Sequence, residues 1–571
     1  MKKLSKLKSG SLKFVALPVI LLVMVLTVTG CDLAESFRQY GVTVEITNVA
    51  ETDIERLSIR AGDTTVDDFE YDAEGIVRVD IGDLRGRTEL KPVLAENDEQ
   101  DFYPESVTVE AADDGETINF NAVQETTVYD NDDLGEKIEE AYPGDRLTLD
   151  NNYDFNDVTI STPGLTLKSM LEMDETDPRS FSNVAGIEIT ADDVTIDELN
   201  IIAGGSIEIK DSNNVRLVDN RIVGSGSVTG VKIDNSEVSL ENNLIRDKST
   251  GIKALAGSEI NLYRDEIRDN SESGVSLRDS RADRIKDATI RDNEQGFELK
   301  QGSYLKLEDS VVYKNNWRGI FAQDSRLEIQ DSEFSRNLEA IEAENSTELA
   351  LHDSDITNSD NHGLKIEGGD VSISRTDFIN NEYALVGREL SSIDLRESTI
   401  RNNDYGISLE EVAGGVQLID NKVNYNSDYG WELQGISGEL SHNEIISNRN
   451  GISHQNGGSL QVKYNDIEDN RRNGLRVEDA AAIVEFNNIH YNDSAGGSFT
   501  GERAVVESRV NNNSIIENRP GLYADVNGLD VELNAEENWW GSGKDIEDIE
   551  DMIRGPVRFE PVLESEPDAG S

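Results

Sequence analysis

Gly319-Ile-Phe-Ala-Gln-Asp-Ser-Arg326-Leu-Glu-Ile-Gln-Asp-Ser-Glu-Phe334-Ser-Arg-Asn337-Leu-Glu-Ala340-Ile-Glu-Ala343 holds one full period of a repeat and the opening of the next. A small residue is followed by an aliphatic, any residue, and a second aliphatic or small residue. The phrase returns as Gly186-Ile-Glu-Ile, Gly230-Val-Lys-Ile, Gly274-Val-Ser-Leu, Gly296-Phe-Glu-Leu, Gly363-Leu-Lys-Ile, Gly406-Ile-Ser-Leu and Gly430-Trp-Glu-Leu. From Gly186 to Gly521 the fifteen intervals average about 22 residues. A fixed period of this size marks a solenoid.

The rest of each period decides which solenoid. A second alternating run follows the first, as in Arg326-Leu-Glu-Ile and Tyr304-Leu-Lys-Leu. Apolar residues two apart read as strands with one buried face, and such short strands leave no room for a helix. A leucine-rich repeat needs a Leu frame and one strand per unit, whereas Ile and Val dominate here. The pattern predicts an all-β chain. It is a parallel β-helix of about 16 coils, right-handed as parallel crossovers generally are.

The composition narrows the function class. Asp and Glu number 114 against 53 Lys and Arg, for a formal charge of −61. Phosphate binding needs clustered basic residues, so nucleic acid is not an expected partner. The charge suits a heavily solvated surface, a high-salt habitat or cation binding.

Outside the repeat the chain falls into segments. Lys2, Lys3, Lys6, Lys8 and Lys13 precede an apolar run from Phe14 to Val28, the layout of an export signal. Leu26-Thr-Val-Thr-Gly-Cys31 resembles a bacterial lipobox, and Cys31 is the only cysteine. The resemblance implies cleavage after residue 30 and a lipid on Cys31, anchoring an exported protein to the outer face of a bacterial membrane. Residues 31–38 are then a tether. Residues 39–124 alternate apolar and polar at Val42–Ile46, Val77–Ile81, Val107–Val109 and Ile118–Ala122, which predicts a small antiparallel β-sandwich. The phrase Phe102-Tyr-Pro-Glu-Ser-Val-Thr-Val resembles bacterial immunoglobulin-like spacer domains. Residues 127–182 read as a cap: Leu134, Ile138 and Ala141 share a helix face, Pro143-Gly-Asp145 stops it, and short strands begin the coil. The β-helix is placed at 183–541, with a C-terminal cap and acidic tail at 542–571.

The order of helix, Pro-Gly-Asp, strand and Pro163-Gly-Leu-Thr-Leu resembles the entry to β-helix proteins of the NosD and pectate-lyase-like group. Asn538-Trp-Trp-Gly541 and Gly555-Pro-Val-Arg-Phe resemble their ending. The resemblance implies the fold; the group holds lyases, hydrolases, epimerases and non-enzymatic surface proteins.

Candidate site residues lie in columns one period apart. At +1, Ile187, Val231, Phe297, Ile320, Leu364 and Trp431 fill a core; His454 at +3 is read as a hydrogen-bonded neutral imidazole. Asn270, Asn293, Asn316, Asn337, Asn381, Asn403, Asn426, Asn448, Asn470 and Asn518 precede the marker and are expected to stack as an amide ladder. Asp265, Asp287, Asp309, Asp331 and Asp353 recur every 22 residues. They either cap turns or hold a cation such as Ca²⁺. Just before the marker stand Arg318 beside Trp317, Glu339, His362, Tyr383, Tyr405 and Tyr429. Trp317 and the three tyrosines form either a strip for sugar rings or a cover over the turn.

For catalysis the candidates are Glu298 and Glu342, two coils apart on outward positions, and Arg284-Ile-Lys286. The latter resembles the Arg-x-Lys element of polygalacturonases, whose Gly-His-Gly is missing. The regular coils carry no long loops on which a site would be built. The expected function is a monomeric, lipid-anchored envelope protein that binds or organises polysaccharide without chemistry. A polysaccharide lyase or hydrolase and a passive adhesion scaffold are the alternatives.

Overall fold

The computed structural model describes residues 39–567, apart from 48, 50–56, 72–75, 86, 95–100, 110–112, 114, 130–133, 172–180, 203, 225–226, 346 and 527. Cys31 and the export signal lie outside the described residues. No described helix is long and apolar enough to cross a membrane. The chain forms two compact units, residues 1–149 with 162–168, and residues 150–161 with 169–571.

The first unit is a two-sheet sandwich. One sheet orders Glu70–Tyr71, Val77–Arg85, Gln39–Thr47, Thr117–Ala122 and Phe102–Tyr103; the other orders Thr64–Val66, Leu57–Ala61, Thr88–Leu94 and Val107–Val109. Alternation places Val44, Ile46, Ile59, Leu90 and Phe120 inside, where they are fully buried. One departure from the antiparallel expectation is the pairing of Gln39–Thr47 with Thr117–Ala122, which is parallel from Thr43↔Thr117 to Thr47↔Asn121. The same unit holds the helix Leu134–Glu140, which buries Leu134 and Ile138. Asp145 closes the following turn by accepting the backbone N–H groups of Gln124 (2.8 Å) and Tyr142 (2.9 Å).

The second unit is a right-handed parallel β-helix, part of a solenoid of about 19 turns. Each coil contributes a marker strand, a second strand and a short third strand, for example Arg318–Gln323, Arg326–Gln330 and Glu333–Ser335. Like strands stack into three parallel sheets. The turns outnumber those counted from the small-residue marker because coils at both ends lack it. Val158–Ile160 pairs in register with Ile187–Ile189, and Leu522–Tyr523 with Ile553–Arg554.

The marker is small because the next coil is close. A Cβ on Gly319 would lie 2.5 Å from the Ala340 carbonyl oxygen, and one on Gly406 2.2 Å from that of Gly430. The +1 residues form one inward column, Ile320↔Ile341↔Leu364↔Leu385↔Ile407↔Trp431↔Ile452↔Leu475, all buried. His454 is fully buried and burial pushes it down to about 4, so it is neutral. Backbone groups of Leu433, Ala481 and Gly458 face the ring and partly offset that shift.

Three polar ladders occupy the turns. Before the marker, where two Asn follow one another in the column the later Oδ1 accepts both the backbone N–H and the Nδ2 of the earlier, as Asn426 does from Asn403 at 3.0 and 3.1 Å. Lys248 and Ser359 stand in the same column and give Asn270 and Asn381 a backbone N–H alone. Asn315 holds the ladder position, not Asn316, which is exposed. Asn492 joins it as well. After the marker strand, hydroxyls do the same work from Ser212 to Ser236 and from Ser280 to Ser303. Between the second and third strands the ladder reads Asn220, Asn243, Asp265, then Ser310, Ser332 and Ser354, then Asn421 to Asn538. Pairing buried backbone and side-chain groups in this way removes the cost of leaving them unbonded.

The equal spacing of the five aspartates is therefore misleading. A one-residue bulge at Asp283 shifts the register between Ile260↔Ala282 and Asn261↔Arg284. It leaves Asp265 inside the ladder and puts Asp287, Asp309, Asp331 and Asp353 one place outward, at φ between 47° and 54°. Aspartate tolerates this left-handed conformation, which accounts for the outer column. Lys286 pairs with Asp309 at 2.9 Å and Arg375 with Asp353 at 2.6 Å. Among the described residues no three His, Cys, Asp or Glu converge as a metal site.

Asp265 accepts from Asn243 N–H and Nδ2 (both 2.8 Å) and Tyr263 N–H (3.0 Å), yet burial pushes its carboxyl up to about 7. The fold thus prefers the protonated acid, and stability from this group is lost as pH rises from about 4 through about 7. Asp265→Asn continues the amide chain without a charge. It should raise the melting temperature by about 3 °C or more at pH 8 and leave it unchanged at pH 4, measured by thermal denaturation across pH.

Candidate functional site: a charged and aromatic face of the marker sheet

Marker strands bury two successive residues, the small residue and +1, in the pattern of His362–Glu367, Tyr383–Arg388 and Tyr405–Glu410. This local break in alternation turns the residue before the marker and the +2 residue to the same outward face. Their columns are therefore neighbours. One runs Glu298↔Phe321↔Glu342↔Lys365 and the other Gln295↔Arg318↔Glu339.

A charge cluster results. The Arg318 guanidinium lies 3.6 Å from the Trp317 ring centroid and 4.4 Å from that of Phe321. Its Nε pairs with Glu342 and stands 3.4 Å from Glu339 Oε2. Lys365 Nζ donates to Glu342 Oε1 at 2.6 Å. Asn361 Nδ2 donates to Glu339 Oε1 at 3.2 Å, and His362 Nδ1 lies 3.5 Å from the same oxygen. The side chains of Glu342, Glu339 and Arg318 are only 2%, 9% and 12% exposed. Burial pushes the Glu339 carboxyl up, but His362, Glu342 and Lys365 outweigh it and hold it below the usual range. Burial and the neighbouring Glu339 raise Glu342, against the opposing pull of Lys365 and Arg318. The two acids share the Arg318 Nε, and their protonation is linked.

Every member of this cluster is legible in the sequence. What alternation hides is that the two columns meet, since a regular strand would put positions three apart on opposite faces. Glu298 sits in the Glu342 column with Phe321 between them, held by Lys300 (2.5 Å) and Ser276 (3.1 Å).

The aromatic column is real but differently arranged from a flat strip. His362 stacks on Tyr383 (5.2 Å, 25°) and Tyr383 on Tyr405 (4.4 Å, 8°). Rings stacked coil on coil cover one another's faces, so Tyr383 offers a ligand mainly its edge. Tyr429 is half-buried in the following coil. Trp317, 39% exposed, has one face against Arg318. A second stack, His442–Tyr464–Phe486, stands at the turn between the second and third strands and was not foreseen.

Other candidates do not join this face. Arg284 and Lys286 lie on the second sheet, where Lys286 is tied to Asp309. On the third sheet, His490 Nε2 is 2.7 Å from Ser514 Oγ and its Nδ1 is 3.4 Å from Glu468 Oε1. Ser514 is buried beneath Glu566, to which it donates at 2.8 Å, and its backbone N–H is bonded to Asn487. That leaves neither an open hydroxyl nor a free oxyanion donor there.

Removing Arg318 would leave two buried acids facing only Lys365 and His362. Arg318→Ala should cost about 3 kcal/mol in a denaturant titration. Arg326→Ala, which removes an exposed pair with Glu328, should cost under about 1 kcal/mol.

A family model described as the right handed beta helix region matches residues 185–321 and 296–438. No curated protein matches the sequence. Among solved structures the chain is similar to the pectate lyase Pel9A, at 10% identity and a TM-score of 0.26 over 50% of this chain and 80% of that one. It is also similar to the A-module of the Azotobacter vinelandii mannuronan C-5 epimerase AlgE4, at 12% identity and 0.23 over 72% and 92%. A variant of the PL6 family alginate lyase AlyGC gives 9% and 0.29 over 73% and 89%. With its matched repeats and three in-register parallel sheets, the chain has the fold of a right-handed parallel β-helix repeat protein.

Proposed function

We propose that this protein is an exported, lipid-anchored envelope protein whose marker face binds polysaccharide without chemistry. The observation that carries this is the exposed Trp317, backed by Arg318, with the edges of the stacked Tyr383 and Tyr405 and the half-buried Tyr429 further along the same face. Sugar rings stack on indole faces, and sites repeating at about 4.8 Å along the sheet suit a polymer.

The acids of the face support binding over hydrolysis. Glu339 and Glu342 both lie against the Arg318 Nε, which ties each acid to a protein cation and not to a water or a glycosidic oxygen. Glu342 is also ion-paired on both sides and almost wholly covered. Glu298 and Glu342 are in one column two coils apart, about 9.6 Å by strand spacing, with Phe321 filling the gap.

The mature protein should retard at least one polysaccharide from a panel of uronic and neutral polymers in native gels. Trp317→Ala should weaken that retardation about tenfold, and no polymer should yield unsaturated products or new reducing ends. Turnover of any polymer would replace this reading with a lyase or hydrolase, with Glu298 and Glu342 the first residues to substitute. Retardation unchanged in Trp317→Ala would remove the marker face as the site.

A further inference from the structure

The third sheet carries a feature that the marker face does not explain. In a chain with 114 acidic and 53 basic residues, three arginines occupy one outward column in consecutive coils, Arg246↔Arg268↔Arg291. Beside them is a cavity of about 550 Å³ lined by Arg221, Arg246, Arg264 and Arg268, with Glu266 and Asp219 also in its wall. The bulge at Asp283 follows directly in the chain, and Arg264 stands where later coils place aspartate in the outer turn column.

Some of this charge is paired. Glu266 is 3.0 Å from Arg268 Nε and 2.7 Å from an Arg291 nitrogen. Arg246 pairs with Asp247 at 2.9 Å, Arg291 with Asp292 at 2.5 Å, and Arg268 with Asp269. The remainder is not. Among the described residues Arg221 and Arg264 have no carboxylate in ion-pair range, and Arg264 lies over the Tyr263 ring at 4.5 Å. The Nε of Arg246 is buried without a hydrogen-bond acceptor, whereas that of Arg268 faces Glu266. Donors around the cavity therefore outnumber protein acceptors. Buried donors without partners call for an acceptor from outside the protein. Guanidinium groups present paired N–H donors that match sulfate and phosphate oxygens, which an ammonium does not do.

We propose that this cleft binds a sulfate- or phosphate-type oxyanion carried by an acidic polysaccharide. The site is separate from the marker face and stands or falls without it. Stacked coils would offer successive anionic groups a guanidinium about every 4.8 Å. The strongly negative chain repels a polyanion at a distance, so binding is measured at about 0.15 M salt, where screening confines the interaction to contacts within about 8 Å.

The test is titration of the mature protein with dextran sulfate and with neutral dextran. It uses the native chain, Arg221→Gln with Arg264→Gln, each single substitution, and Arg326→Gln on the second sheet as the control. Both cleft substitutions remove guanidiniums without ionic partners, so the melting temperature should not move. Dextran sulfate should bind, neutral dextran should not, and the double variant should weaken binding about tenfold or more while Arg326→Gln leaves it intact. Inorganic sulfate should compete at millimolar concentration, which assigns recognition to the oxyanion itself. No binding of dextran sulfate, equal binding of neutral dextran, or affinity unchanged in the double variant would each overturn the proposal. Binding of inorganic sulfate alone would overturn its polymer half.

Discussion

Whatever one coil presents at a turn or on a face, the next coil meets at about 4.8 Å. This stacking constraint decides most of what the molecule looks like. Apolar residues satisfy it by forming columns such as Ile320 to Leu475. Amides satisfy it because one group both donates and accepts, so Asn403, Asn426, Asn448 and Asn470 bond each to the next. A carboxylate cannot do both, which is why the ladder holds a single buried acid, Asp265, and why burial pushes that acid toward its neutral form. On the marker face charges satisfy it by alternating sign, as in Arg318, Glu342 and Lys365 on successive coils.

The same constraint separates what the sequence discloses from what it hides. The small-residue marker exposes the period because a Cβ there would meet the next coil's carbonyl oxygen. Inward columns follow from the period alone. Register does not, since one extra residue at Asp283 moves Asp287 and its successors out of line with Asp265 while keeping the spacing at 22. Asn315 and Asn316 are indistinguishable in the sequence for a similar reason: both are amides at an allowed offset, and only the backbone pairing separates them. The charge cluster is hidden in the sequence because two consecutive buried residues bring the columns of Arg318 and Glu342 onto one face.

Function is written on the outside of such a stack, in whatever breaks its regularity. On the marker face the break is an indole beside an arginine, followed by rings that cover each other and acids already answered by protein cations. A partner that meets this face finds apolar ring surface and polar edges more than free charge. On the third sheet the break is the opposite, guanidiniums that the protein itself does not fully answer. The two faces thus offer different chemistry to an extended ligand.

Hydrogen–deuterium exchange of the mature protein, with and without a retarded oligosaccharide, addresses the claim that the marker face is where a glycan lies. Added protection is expected in the marker strands between Gln295–Lys300 and Tyr429–Gln434, with the second sheet unchanged. Protection confined to the second sheet, or none at saturating ligand, would contradict it.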